Sequence, residues 1–228
     1  MTTTTKMEIS KGTVELLKNF ASINSNILVK PGSKIVTISN YKNVLAEAEV
    51  GEVFDTPFGI WDLHKLLGTV SLFDNPSFEF HEKYMVIDGD NATVTYYYSE
   101  PKLLTTVTKE LVMPEIVVTC EIKEDDFKEI QRAASVLQLP DLKISSEGDK
   151  IVLTVHDRKD STSNEYSFEV GNNESESDFE FLFKVENMKM LPGDYRVDIA
   201  QNSVAQFSNQ NINLRYWIAM EPDSSYKG

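Results

Sequence analysis

Three histidines, one cysteine and a few neighbouring acids are the residues of this chain best suited to bond-making or metal chemistry. His64, His81 and His156 fall on three different segments. Glu79 and His81 would share one face of a strand and offer two metal ligands, but zinc asks for three or four and no third is in sight. Asp88-Gly89-Asp90-Asn91 superficially suggests a calcium loop. It lacks the glycine at the sixth position and the glutamate at the twelfth, so a hairpin turn accounts for it. Cys120, the single cysteine, lies between Thr119 and Glu121 with no basic partner. It reads as a core filler rather than a nucleophile, and it excludes an intrachain disulfide. Asp125-Asp126 is explained by the preference of a helix N-terminus for negative charge. Neither GxGxxG nor GxxxxGK followed by Ser or Thr occurs, so ATP hydrolysis is not expected. No Ser/His/Asp or Cys/His set can be assembled, and no enzyme activity, metal or cofactor is expected.

The basic residues carry more information. Lys11, Lys18, Lys65, Lys128, Arg132 and Lys189 fall on helix-like segments, on sides away from the apolar stripes. Many acids fall in strand edges and loops: Glu47, Glu49, Glu52, Asp88, Asp90, Glu174, Glu176 and Asp178. Any one exposed lysine is ordinary solvation. Taken together, the segregation predicts a basic inner surface and an acidic outer one. The net charge of −14 argues against simple affinity for nucleic acid or an anionic membrane. Any DNA contact must therefore come from local segregation of Lys and Arg, or from something other than affinity.

The elements that would position these residues follow from periodicity. Residues 10–24 predict an amphipathic helix capped by Ser10. Val14, Leu17, Ala21 and Asn24 lie on one side, Leu16, Phe20 and Ile23 flank them, and Lys11, Glu15, Lys18 and Ser22 lie opposite. Residues 61–72 predict a second helix with Leu63, Leu66, Leu67 and Val70 inward, and residues 124–137 a third. Residues 186–191 read as one short helical turn. Between these, alternation predicts strands at 27–30, 34–39, 44–50, 53–60, 77–82, 83–87 and 92–98, then at 143–145, 150–156, 165–170, 179–185, 195–200, 204–208 and 213–220. Residues 99–114, with Pro101 and Pro114, read as an extended connector. Residues 1–6 and the stretch from 221 onward read as loose tails.

The second half repeats the first. Glu8-Ile9 recurs as Glu121-Ile122, and at the same offset Val14, Leu17, Phe20 and Ala21 become Phe127, Ile130, Ala133 and Ala134. The expected fold class is an α+β duplication: a tail at 1–6, one domain at 7–105 and a second at 106–228. Hydrophobic content of 41% supports a real core in each. The first residues show no apolar signal region, and no apolar run approaches the ~20 residues needed to span a membrane, so a soluble intracellular protein is expected.

Three segments then point to a family. LLKNFASIN at 16–24, IWDLHKLLG at 60–68 and NMKMLPGDYR at 187–196 resemble the DNA polymerase sliding clamps of T-even-type bacteriophages. The matching segments run in order from Met7 to Ser224. The resemblance implies a ring of three identical subunits with two clamp-fold domains each. Its helices would line a hole filled by duplex DNA and its antiparallel sheets would form the wall. It implies as partners a replicative DNA polymerase bound through a short peptide and an ATP-driven clamp loader. In some of these phages the clamp also activates late transcription, which adds late-transcription factors. It places the protein in the cytoplasm of the infected bacterial host. Carried over by position, Lys11, Lys18, Arg132 and Lys189 match lining positions, Lys123 matches just before the third helix, and Lys65 and Lys128 fall on the corresponding helices. The peptide pocket would involve Leu111, Met113, Pro114 and Trp217. The stretch 99–110 and the acidic loop 171–178 depart from the family pattern. A β-rich phage structural or assembly protein joined through sheet edges is the competing reading, and a carboxylate-pair hydrolase a third.

Overall fold

The computed structural model describes residues 6–89, 91–108, 111–175, 177–201 and 203–228. The chain divides into two compact units, Met1–Glu110 and Leu111–Gly228. The first contains β1 (Lys6–Glu8), α1 (Lys11–Ile23), β2 (Ile27–Val29), β3 (Gly32–Ile38), β4 (Val44–Phe54), β5 (Phe58–Ile60), α2 (Leu63–Val70), β6 (Ser77–Phe80), β7 (Tyr84–Gly89) and β8 (Ala92–Tyr97). The second contains β9 (Ile116–Ile122), α3 (Glu124–Leu137), β10 (Asp141–Glu147), β11 (Lys150–His156), β12 (Tyr166–Asn172), β13 (Asp178–Lys184), β14 (Tyr195–Ala200), β15 (Val204–Asn209), β16 (Leu214–Ala219) and β17 (Ser225–Lys227).

The repeat read in the sequence reappears as strand order. In the first unit β1, β6, β7 and β8 lie side by side, all antiparallel. In the second unit β9, β14, β15 and β16 do the same. The remaining strands run β4-β3 and β2-β5 in the first unit, with β2 beside β3, and β12-β11-β10-β13 in the second. Each unit is thus a pair of antiparallel layers with its long helix packed on one side, against β3 and β4 or against β11 and β12. β8 and β12 are the outer strands of their sheets.

The helices bury the stripes that their spacing foretells. Leu16, Leu17, Phe20 and Ala21 are buried on α1, and Phe127, Ile130 and Ala134 on α3. Val14 and Ile23 sit at the margin of the α1 stripe rather than within it. Cys120 is buried at 8% exposure, and burial pushes its thiol up to about 12, as befits a core residue. Gly89 and Ala92 close the β7–β8 hairpin; Asp90 lies outside the described residues, as does Glu176 of the acidic loop.

Several expectations change. The strand at 44–50 continues to Phe54, and 53–60 is broken at 55–57, where Pro57 leaves only β5 beyond it. The short helical turn read at 186–191 is a single 3-10 turn at Val185–Asn187, and the residues after it are irregular. The short turn Val185–Asn187 takes the place that α2 holds in the first unit, so the chain has three α-helices among the described residues. Lys6 is not part of a tail: it begins β1, opposite Glu79, and its amine reaches Asp88 at 3.2 Å; residues 1–5 lie outside the described set. The connector starts later than 99. The Ser99 N–H donates to the Gly59 carbonyl at 2.8 Å, and Leu104 is buried. Only a glycine permits that approach, because a Cβ at 59 would lie 2.7 Å from the Ser99 carbonyl oxygen. The final residues are not frayed either. β17 pairs with β13, and the Leu182 N–H donates to Ser224 Oγ at 2.9 Å. Among the described residues no helix is long and apolar enough to cross a membrane.

Candidate nucleic-acid interface

The exposed faces of the helices carry the cations. Lys11 and Lys18 project from α1 opposite the Leu17/Phe20 stripe, and Lys65 projects from α2, which packs beside α1. Lys128 and Arg132 project from α3. Lys123 is the N-cap residue just before α3, and its N–H donates to Asp126 Oδ2 at 3.3 Å. Lys189 is not on a helix. It follows the Val185–Asn187 turn, exposed between the buried side chains of Met188 and Met190. Gln131 of α3 donates to the Met188 carbonyl at 3.0 Å, which ties this strip to the helix. Within each unit the cations named from the sequence therefore stand on adjoining elements.

Each long helix is held at its N-terminus by an acid from elsewhere in its unit. In the first, Ser10 caps α1 by accepting from the Thr13 N–H at 3.2 Å. Glu52 of β4 then accepts from the Ser10 N–H at 2.5 Å and from Thr13 Oγ1 at 2.6 Å. Burial pushes the Glu52 carboxyl up, but these hydrogen bonds outweigh it and hold it below its ordinary value. In the second, Asp194 accepts from the Glu124 N–H at 2.9 Å and pairs with Lys123 Nζ at 3.4 Å. The helix N-terminus favours negative charge, so both acids also complement the dipole. Sequence reasoning missed both roles, and no local signal marks them.

A consequence can be measured. Glu52→Gln is expected to cost the first unit about 1 kcal/mol at neutral pH, the size of a lost capping interaction. The contribution is fully present above the ordinary carboxyl value of 4.5 and is lost as pH falls through the lower folded-state value. Urea midpoints of the two proteins should therefore differ at pH 7 and converge in acid. A gap that persisted unchanged at pH 3 would contradict the capping role.

Lys18, Lys128 and Lys123 are already engaged by acids near them. Lys18 Nζ lies 2.7 Å from Glu15, Lys128 Nζ 2.5 Å from Glu124, and Lys123 Nζ 3.0 Å from Glu121. Hydrogen bonding by Glu121, and then Asp194, raises the Lys123 amine; Glu124 does the same for Lys128. Among the described residues, Lys11, Lys65 and Arg132 make no ion pair within 4 Å. Beside Arg132, a groove is lined by Lys128, Glu129, Ala133, Val136 and Tyr166, and the Tyr166 hydroxyl donates to Glu129.

Leu111, Met113 and Pro114 lie in the irregular segment before β9. Trp217 lies on β16, with β15 and β14 between it and β9. Its side chain is on the face opposite Tyr216 and Ile218. It is 7% exposed, and the Arg215 guanidinium sits 5.4 Å from its ring centroid. Among the described residues its buried indole N–H finds no acceptor. Elsewhere, His81 Nε2 lies 3.2 Å from Glu79, and the ring stacks on Tyr84. No three His, Cys, Asp or Glu side chains gather as a metal site among the described residues.

The comparison with known proteins decides the family. The chain is 31% identical over 228 residues to the sliding clamp of Enterobacteria phage T4, covering 96% of this chain and 99% of that one. The chain belongs to the phage sliding-clamp family. The sliding clamp of Vibrio phage KVP40 is 29% identical over 221 residues, covering 94% and 99% of the two chains. The family described as "gp45 sliding clamp, C terminal" matches residues 119–222. Solved clamps share the fold. The PCNA2–PCNA3 complex of Sulfolobus tokodaii aligns with TM-score 0.71 at 12% identity, covering 96% of this chain and 100% of that one. The Helicobacter pylori beta clamp bound to a DNA ligase peptide aligns at 0.73 and 14% identity, covering 95% of this chain and 65% of that one. The chain thus has the DNA-clamp fold and is a DNA sliding clamp of phage type.

Proposed function

We propose that three copies of this chain close into a ring around duplex DNA and hold the phage replicative polymerase at the primer end. The observation that carries this is the match along nearly the whole chain to phage sliding clamps. Cations on the exposed sides of α1, α2 and α3 support placing those faces toward DNA. A closed ring replaces affinity with topology. Strong phosphate contacts would anchor a protein that must move, because each is also a barrier to sliding. The chain as a whole, at −14, repels other DNA and stays off non-specific sites. Tethering then raises the effective concentration of polymerase.

The outer strands β8 and β12 are the edges we assign to ring closure. Pairing β8 of one copy with β12 of the next is a heterologous contact, which closes when the rotation per copy allows. Leu111, Met113, Pro114 and Trp217 are the residues we assign to the polymerase peptide. The chain would act without chemistry of its own, opened by an ATP-driven loader, in the cytoplasm of the infected cell. Family membership removes the support for the structural-protein reading.

The test combines mass and topology. The native particle should weigh near three times 25.8 kDa. Once loaded it should stay on circular DNA and run off linear ends. A monomer at high concentration and low salt, with no loader-dependent retention on circles, would overturn the reading.

A further inference from the structure

Within the clamp reading, the ion pairs on the helix faces have a use of their own. Glu15 stands one turn before Lys18, and Glu124 one turn before Lys128, so each carboxylate shares the exposed face of its lysine. In both pairs the lysine side chains are more than half exposed, at 55% and 56%. Pairs of this kind contribute little to stability, so stability does not explain them. We propose that Glu15 and Glu124 are built-in competitors of DNA phosphate, which limit how tightly Lys18 and Lys128 hold the backbone as the duplex passes.

The physical argument is one of exchange. A lysine that meets phosphate from bulk water gains the full charge-assisted contact and releases condensed counterions. A lysine already bonded to a carboxylate at 2.5–2.7 Å must give up or share that bond first. The contact with phosphate is then shallow, and retreat to the carboxylate keeps the ammonium satisfied while the next phosphate approaches. Lys11, Lys65 and Arg132, without such partners within 4 Å among the described residues, supply the general attraction. The lining therefore mixes cations that attract with cations that are held in check.

The experiment measures one-dimensional diffusion of the loaded, full-length protein on stretched DNA. Glu15→Gln with Glu124→Gln keeps side-chain shape and removes the competitor. It is expected to slow diffusion about threefold or more and to steepen its dependence on salt, because more phosphates are neutralised per position. The control, Glu147→Gln with Glu174→Gln, makes the same change in net charge on exposed residues outside the helices and should leave diffusion as in the parent. Unchanged diffusion in the first variant, or equal slowing in both, overturns the proposal. Retention of the parent protein on circular but not linear DNA is scored in the same assay. Failure there overturns the clamp reading itself, and this proposal with it.

Discussion

Lys18→Glu combined with Arg132→Glu is expected to reduce clamp-dependent processive synthesis by about tenfold or more at ~0.1 M salt, where charges a few ångströms from phosphate are still poorly screened. Each reversal changes an exposed helix face by two charges in every copy, on α1 and on α3. Both side chains are exposed on helix faces away from the core, so folding and native mass should be unchanged. Lys18→Glu does place a glutamate one turn from Glu15, which costs α1 a few tenths of a kcal/mol. Lys18→Gln with Arg132→Gln avoids that repulsion and should give the same defect at smaller size. Primer extension with loader and polymerase, read as product length at single encounter, is the measurement. Full processivity in the reversed variant, with native mass intact, would show that these faces do not meet DNA.

The second large effect is structural. Asp141, 1% exposed at the start of β10, accepts a bond from Lys184 Nζ and another from the Arg158 N–H at 3.2 Å; Arg158 Nε lies 3.5 Å away. Burial pushes its carboxyl up, but Lys184 and Arg158 outweigh that and hold it below the ordinary range. Arg158 also reaches Glu221 and, at 3.1 Å, Asp223, so the cluster fastens the segment that leads into β17. Asp141→Ala leaves Lys184 without its carboxylate and takes one of three from Arg158. Breaking such a pair from one side costs about 3 kcal/mol. Asp141→Asn should cost less, because it keeps an acceptor for the Arg158 N–H. Denaturant unfolding of the two variants checks the order, and hydrogen exchange over 221–227 should rise in Asp141→Ala. A loss under about 0.5 kcal/mol would mean that Arg158 is satisfied by Glu221 and Asp223 alone.

What could be read in the sequence was what local spacing encodes. The α1 and α3 stripes appeared because Leu17/Phe20/Ala21 and Phe127/Ile130/Ala134 recur at helical steps, and the offset between them exposed the duplication. The helical turn read at 186–191 exists as the single turn Val185–Asn187; its extent was not legible, because the strip that follows is pinned from outside by Gln131. β17 escaped because its three residues carry no pattern; its place depends on Leu182 and Ser224, 42 residues apart. The cation positions were legible as faces, but not their engagement. Lys18 and Lys128 pair within a turn and could have been foreseen, whereas Lys123 meets Asp194 across 71 residues. Glu52 and Asp141 were out of reach for the same reason: an acid's partner across the fold leaves no trace near it in the chain.

The acids that hold the two long helices come from places that do not correspond in the repeat: Glu52 from β4, Asp194 from the loop ahead of β14. Their partners differ in kind as well. Among the described residues Glu52 grips neutral donors only, whereas Asp194 shares the exposed ammonium of Lys123 with Glu121. Acid should loosen both helix starts, whereas concentrated salt should weaken only the Lys123 pair at the later one and leave the Glu124 N–H bond to Asp194 in place. Salt and acid applied separately would thus tell the ion pair that flanks one helix start from the hydrogen bonds that hold both.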